Sequence, residues 1–201
     1  MSWDRHRGDP SAAPEAEPAT GQPIAVGPGE PERARLRGEV LLGALEERTE
    51  GARRHGDAVA SYAFATAVEL RLDRDACLLV REAARLHEVG KIYVRDESHP
   101  AAGCRLARGA GVPELVCEWI LHCTERFDAG EGARAAGSDI PLPSRIIAAA
   151  CEYDVLLGAY TGGSLAGRRW ALIGVIEEAG KLDPMVVDAL ARVVERASEG
   201  T

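Results

Sequence analysis

No apolar run in the sequence approaches the ~20 residues that cross a bilayer, so no membrane-spanning helix is expected. The N-terminus also lacks the apolar stretch of a signal peptide, and a cytoplasmic location is expected. Cysteines are few and scattered: five, an odd number, with no CxxC pair, which reads as reduced thiols of a cytosolic protein. Positive charge is in short supply. The 24 Lys and Arg are outnumbered by 32 Asp and Glu, for a net charge of −8. Phosphate backbones attract clustered Lys and Arg, so nucleic acid is not expected as a main partner. Strand-like alternation never lasts more than a few residues, and there is no internal repeat.

What remains is a chain of 201 residues, 46% apolar, enough for one domain with a real core. Residues 1–31 hold six of the eleven prolines among many Ala, Gly and Glu. Such a stretch buries too little apolar surface to offset its ordering entropy and is expected to be a disordered tail. The folded domain is expected over 32–199.

From Glu32 the pattern is helical throughout. Leu36, Val40, Leu41 and Leu45 form one stripe. A second helix over about 50–70 turns Val59, Tyr62, Ala63, Thr66 and Leu70 inward. His55 lies one turn before Val59 and shares that face. Asp73 caps a third helix whose inner face is Leu79, Val80, Ala83 and His87, with Gly90 as its stop. Ser98-His99-Pro100 opens another, and Pro113 opens the helix of Val116, Trp119, Ile120 and Cys123, with His122 at the edge of its stripe. A glycine-rich loop over 128–139 precedes a buried helix that begins near Pro141 and carries Ile147, Ala150, Cys151 and Asp154. A loop over 158–167 and two helices, about 168–179 and 184–197, complete an all-α fold.

The stretch with most chemistry is His87-Glu88-Val89-Gly90-Lys91-Ile92. Imidazole and carboxylate at a buried helix end can ligate a divalent metal, and a lysine three residues on can hold a phosphate oxygen above it.

Taken with the other histidines, this stretch resembles the HD-GYP family of the HD superfamily of metal-dependent phosphohydrolases. His55-Gly56-Asp57-Ala58-Val59-Ala60-Ser61-Tyr62-Ala63 is similar to that family's HSxRVAxYA helix, and His87 to Ile92 to its HDIGKI signature. His99-Pro100 matches its HP step. His122 to Asp128 resembles HHHERWDG, the run from Ile140 to Leu156 resembles IPLLARILAVADAYDAL, and Lys181 to Val187 resembles FDPELV. The match runs from about Arg48 to Val194. It implies an HD-type bundle of about seven to eight helices and a cluster of two or three iron or manganese ions that hydrolyses cyclic di-GMP. The metal-bound water attacks phosphorus in line. By position, His55, His87, Glu88 and His99 would be ligands and Lys91 the phosphate contact.

The departures fall on chemistry. The family's HD aspartate is Glu88, the paired histidines are Cys123 and Thr124, and the last ligand aspartate is Cys151. The GYP triplet has no counterpart near Gly132-Ala133-Arg134. Where the family carries phosphate-holding arginines, this chain has Gly158-Ala159-Tyr160-Thr161-Gly162-Gly163-Ser164. Efficient cyclic di-GMP hydrolysis is therefore not expected.

Each site residue keeps two readings. His55 and His87 are either a surviving one-metal site or satisfied core histidines. His99 is a ligand or a helix cap, and Lys91 a phosphate contact or a solvated helix-end charge. Glu88 is a ligand or a cap. Cys123 and Cys151 are buried fillers or, with the two histidines, a closed zinc site. Asp154 is a substitute ligand or a backbone cap. The leading expectation is an eroded regulatory module of cyclic di-GMP-type bacterial signalling, with a partner protein or a nucleotide or phosphoester ligand. An active phosphodiesterase using Glu88 and Lys91, and a structural zinc or thiol-redox domain, are the alternatives.

Overall fold

The structure, a computed structural model, describes residues 24–129, 134–159, 164–178 and 180–199. Among these are eight α-helices and no strand: α1 (Glu30–Glu46), α2 (Ala52–Glu69), α3 (Arg74–Leu86), α4 (His99–Gly109), α5 (Glu114–His122), α6 (Leu142–Ala159), α7 (Leu165–Glu177) and α8 (Pro184–Glu199). Ile24 and Val26 already pack on the core, while residues 1–23 of the expected tail lie outside the described residues.

The α2 helix is the centre of the bundle. It packs on α3 along one side, on α6 along another, and touches α8. Val59, Ala60, Ala63 and Ala67 give it a face of small side chains, all buried, which lets its neighbours come close. Gly56 is the tightest point: a Cβ there would lie 2.8 Å from the backbone oxygen of Arg85. That approach brings His55, one residue away, against the end of α3. Tyr62 of α2 meets Tyr153 of α6 edge to face, with ring centroids 4.8 Å apart. Ser144 ties α6 to α5 by donating its buried hydroxyl to the carbonyl of Trp119 at 2.9 Å.

Three local expectations need correction. The inner face of α1 is Ala34, Gly38, Leu42 and Leu45, with Leu86 of α3 resting on Gly38. Leu36 and Val40 point outward, 55% and 75% exposed. Small residues allow the closer helix contact, and that decides the rotation of α1. Gly90 does not end α3. The helix closes at Leu86, and Gly90 sits inside a 3₁₀ turn over Val89–Ile92. A Cβ on Gly90 would lie 1.8 Å from the carbonyl oxygen of His99 and 2.6 Å from the amide nitrogen of Gly103. Its role is to let the turn sit directly on α4. The loop expected over 158–167 is shorter, because α6 runs on to Ala159 and α7 starts at Leu165, capped by Ser164 Oγ accepting from the Gly167 amide at 3.0 Å. Asp73 caps α3 as expected, accepting from the Ala76 amide at 2.9 Å.

Candidate metal centre

Three helices deliver one cluster. His55 comes from the first turn of α2, His87 from the residue that closes α3, and Cys151 from the middle of α6. One donor atom from each lies within 4.8 Å of the other two. Among the described residues, no second group of three or more such donors gathers this closely.

The rings are held by their outer nitrogens. His55 Nδ1 donates to Asp154 Oδ2 at 2.7 Å, and His87 Nδ1 donates to the carbonyl oxygen of Ala84 at 2.7 Å. Both Nε2 atoms are thereby left for the centre. His55 Nε2 lies 3.8 Å from the Cys151 sulfur. His87 Nε2 is buried and has no hydrogen-bond partner, in a residue only 3% exposed. A buried polar atom left unpaired costs about 1–3 kcal/mol, so its persistence calls for a partner such as a cation. The ring centroids stand 5.2 Å apart.

Charge follows this geometry. The Asp154 carboxylate, and after it the Cys151 sulfur, hold the His55 imidazole up at about 10. Burial works to raise the Cys151 thiol, but the His87 and His55 rings outweigh it and bring it down to about 6.

The other expected site residues stand around this cluster. Glu88 Oε1 lies 3.9 Å from His55 Nε2 and 4.0 Å from His87 Nε2, yet its carboxylate is ion-paired to Lys91. Burial opposes its ionisation, but the His87 ring and the Lys91 ammonium prevail and hold it below the usual carboxylate range. The two residues expected to do chemistry neutralise each other. His99 turns Nδ1 to the carbonyl of Asp96 at 3.0 Å, and burial holds its ring below the ordinary histidine range. Cys123 is buried outside the three-residue cluster, and burial pushes its thiol far up. Cys123 is therefore not one of the donors gathered with the two histidines and Cys151. Gly132 and Ala133, at the GYP position, and residues 160–163, at the position of the family's arginines, lie outside the described residues.

A cavity of about 250 Å³ opens beside the cluster, lined by His87, Glu88, His99, Cys123, Cys151 and Lys181 among others. Its lining cations are already engaged, Lys181 with Glu152 and Glu178 and Arg126 with Asp128, and Lys91, outside the lining, is paired with the lining residue Glu88. Lys181, Glu152 and Arg126 were not expected here. Lys181 reaches the cavity from the chain before α8, a long-range placement with no local signal. Asp154 had such a signal, since its spacing of three from Cys151 puts both on one face of α6.

The donor set decides which ions fit. Two imidazoles and one thiol, with the nearest carboxylate taken by Lys91, suit a single ion. They do not fit a bridged pair of oxygen-ligated iron or manganese ions.

Comparisons with known proteins agree with the fold. A family model for the HD domain matches residues 53–156. The "Cyclic di-GMP phosphodiesterase response regulator RpfG" of Xanthomonas campestris pv. campestris (strain 8004) is 30% identical over 176 residues, covering 76% of this chain. The chain spans 46% of the length of that relative. Among solved structures, the HD domain of the L. monocytogenes phosphodiesterase PgpH superposes with a TM-score of 0.62 at 15% identity, covering 80% of this chain and 97% of that one. The same domain in complex with cyclic-di-AMP gives 0.63 at 15% identity, covering 80% and 96%. An HDG"Y"P protein from Bdellovibrio bacteriovorus gives 0.60 at 16% identity, covering 81% and 62%. At such identities the structural likeness speaks for the fold alone.

Proposed function

Because this chain belongs to the HD domain family, we propose that it is a metal-binding regulatory module of cyclic-dinucleotide-type bacterial signalling, in which binding has outlived hydrolysis. The observation that carries this reading is the single His55–His87–Cys151 cluster beside a Glu88 carboxylate already held by Lys91. Hydrolysis by a metal pair needs a free carboxylate to bridge the ions and charge to receive the leaving oxygen. Here Glu88 serves Lys91, and Lys91 serves Glu88.

The cavity supports the same reading. Sites for drug-sized ligands run roughly 300–1,000 Å³, and this one is about 250 Å³. A cyclic dinucleotide brings two negative charges and is larger than a drug-sized fragment. It would exchange an existing ion pair for each cation it used, at Lys91, Lys181 or Arg126, rather than meet free positive charge. The ligand of such a module is a nucleotide or phosphoester held weakly at the ion, or a partner protein that senses whether the ion is present.

A second reading rests on one feature. The cavity meets the cluster at His87, Glu88 and Cys151, with room for a single phosphate group. A reduced phosphohydrolase acting on a small phosphoester would use that space, with Glu88 and Lys91 parting to admit it.

The test is direct. Protein loaded with manganese, with ferrous iron or with zinc is incubated with cyclic di-GMP and with a panel of phosphomonoesters. No turnover is expected above the rate of the His87→Ala variant. Turnover of cyclic di-GMP that depends on His87 would overturn the regulatory reading, and turnover confined to phosphomonoesters would favour the second.

A further inference from the structure

We propose that Cys151 makes this centre a three-donor His₂Cys zinc site with its fourth coordination position turned to the cavity. The inference deepens the metal-binding reading above and depends on it.

Three observations support it. First, the two imidazoles are oriented from behind. His55 is held through Nδ1 by the Asp154 carboxylate and His87 through Nδ1 by the Ala84 carbonyl, so both Nε2 atoms face inward, where a cation would displace any proton they carry. This outer support is the arrangement that fixes tautomer and direction in histidine-ligated metal sites. Second, His87 Nε2 makes no hydrogen bond and its residue is almost wholly buried, while Glu88 Oε1 stands 4.0 Å away and the Cys151 sulfur is in the same cluster, a spacing that suits a shared cation. Third, Cys151 differs from the other four cysteines. Cys77, Cys104, Cys117 and Cys123 are buried, whereas Cys151 is partly exposed with its sulfur 3.8 Å from His55 Nε2; Cys123 shares the cavity lining but not the cluster. A cysteine that merely fills the core has no reason to face two imidazoles.

The choice of ion follows from donor type. Thiolate and imidazole favour zinc, while manganese and magnesium favour carboxylate, carbonyl and water. Zinc sites with three protein donors keep one position for water or a ligand, whereas structural sites are closed by four. Cys123, the residue that would close this one, lies outside the cluster. Among the cavity-lining residues are His87 and Cys151, so the open position faces the cavity. An anionic ligand, such as one phosphate oxygen, is the class that would occupy it.

The experiment uses the full chain, reduced and free of oxygen, titrated with cobalt(II) as a spectroscopic stand-in and then with zinc. Wild-type protein is expected to show a near-ultraviolet thiolate-to-cobalt charge-transfer band that zinc abolishes at one equivalent. Cys151→Ser should lose the band while keeping its helical circular dichroism. Cys151→Asp should also lose it, and its preference for zinc over manganese should fall by at least about tenfold. If cobalt binds wild type with no such band, the thiolate is not a ligand; this inference fails while the metal-binding reading stands. A band that survives Cys151→Ser but is lost in Cys123→Ser also overturns it. If neither cobalt nor zinc binds the folded protein, both readings fail together.

Discussion

Replacing His87 with alanine is expected to lower metal affinity by more than about 100-fold and to cost the metal-free protein about 1–3 kcal/mol. The loss of affinity comes from one atom. His87 Nε2 is the buried, unpartnered donor at the centre, so its loss removes a ligand rather than a supporting contact. Residues that only orient a ligand cost 10–100-fold when changed; Asp154→Asn, which frees His55 Nδ1, should fall in that lower range. In the metal-free protein the imidazole brings packing and its Nδ1 bond to the Ala84 carbonyl, set against an Nε2 without a hydrogen bond. Deleting it should cost about 1–3 kcal/mol. An ordinary core histidine would show that destabilisation and leave metal binding untouched. Calorimetric titration of the ion, beside urea unfolding in chelator, separates the two. At an ion concentration of 100 times Kd, wild type should gain about 2.7 kcal/mol of stability that the variant lacks.

Gly90→Ala should be the most damaging small substitution in the chain. The new Cβ would lie 1.8 Å from the carbonyl oxygen of His99 and 2.6 Å from the amide nitrogen of Gly103. Both are backbone atoms, so no side chain can rotate away. Either the 3₁₀ turn must lift from α4, or α4 must move with His99 and the cavity wall. The cost should exceed the usual 1–3 kcal/mol of overpacking and reach about 4 kcal/mol. For a domain of this size that corresponds to a fall in Tm of roughly 8–16 °C. The urea midpoint should drop with an unchanged slope, since the unfolded state is the same. A variant within about 1 kcal/mol of wild type would mean that the turn and α4 are not in contact as described.

These two residues also show what could be read from the sequence. The all-helical fold was legible because α2, α3 and α6 keep an apolar period near 3.6 over three turns or more, and because Asp73 and Asp183-Pro184 mark starts that the structure retains. His55 and His87 were legible as inward-facing residues for the same reason. The rotation of α1 was not. Its large apolar residues, Leu36 and Val40, suggested one face, whereas the contact is made by Ala34 and Gly38, where Leu86 can approach. Hydrophobic pattern reports what a helix can bury, not how closely its neighbour can come. Gly90 was legible as a helix breaker, but its actual constraint is set by α4, which begins nine residues later.

At the centre, the replacements at Glu88, Cys123 and Cys151 were visible, but their consequences were not. Cys123 and Cys151 looked equivalent as inward thiols. The structure separates them: one stands beside two imidazoles, and the other is packed away with its proton. The pairing of Glu88 with Lys91 was within reach of an i, i+3 argument. What the sequence withheld was the balance of charge in the cavity, because Lys181 and Glu152 are 29 positions apart in the chain and meet only after α6 and α8 have packed.

The measurement that bears most directly on the account is the metal content of the full chain, purified without chelator or metal-affinity resin under reducing, oxygen-free conditions. The account predicts one ion per chain, zinc, reduced to near zero in His87→Ala. Two ions per chain, iron or manganese, would contradict it and would restore the bridged hydrolytic centre that the pairing of Glu88 with Lys91 argues against.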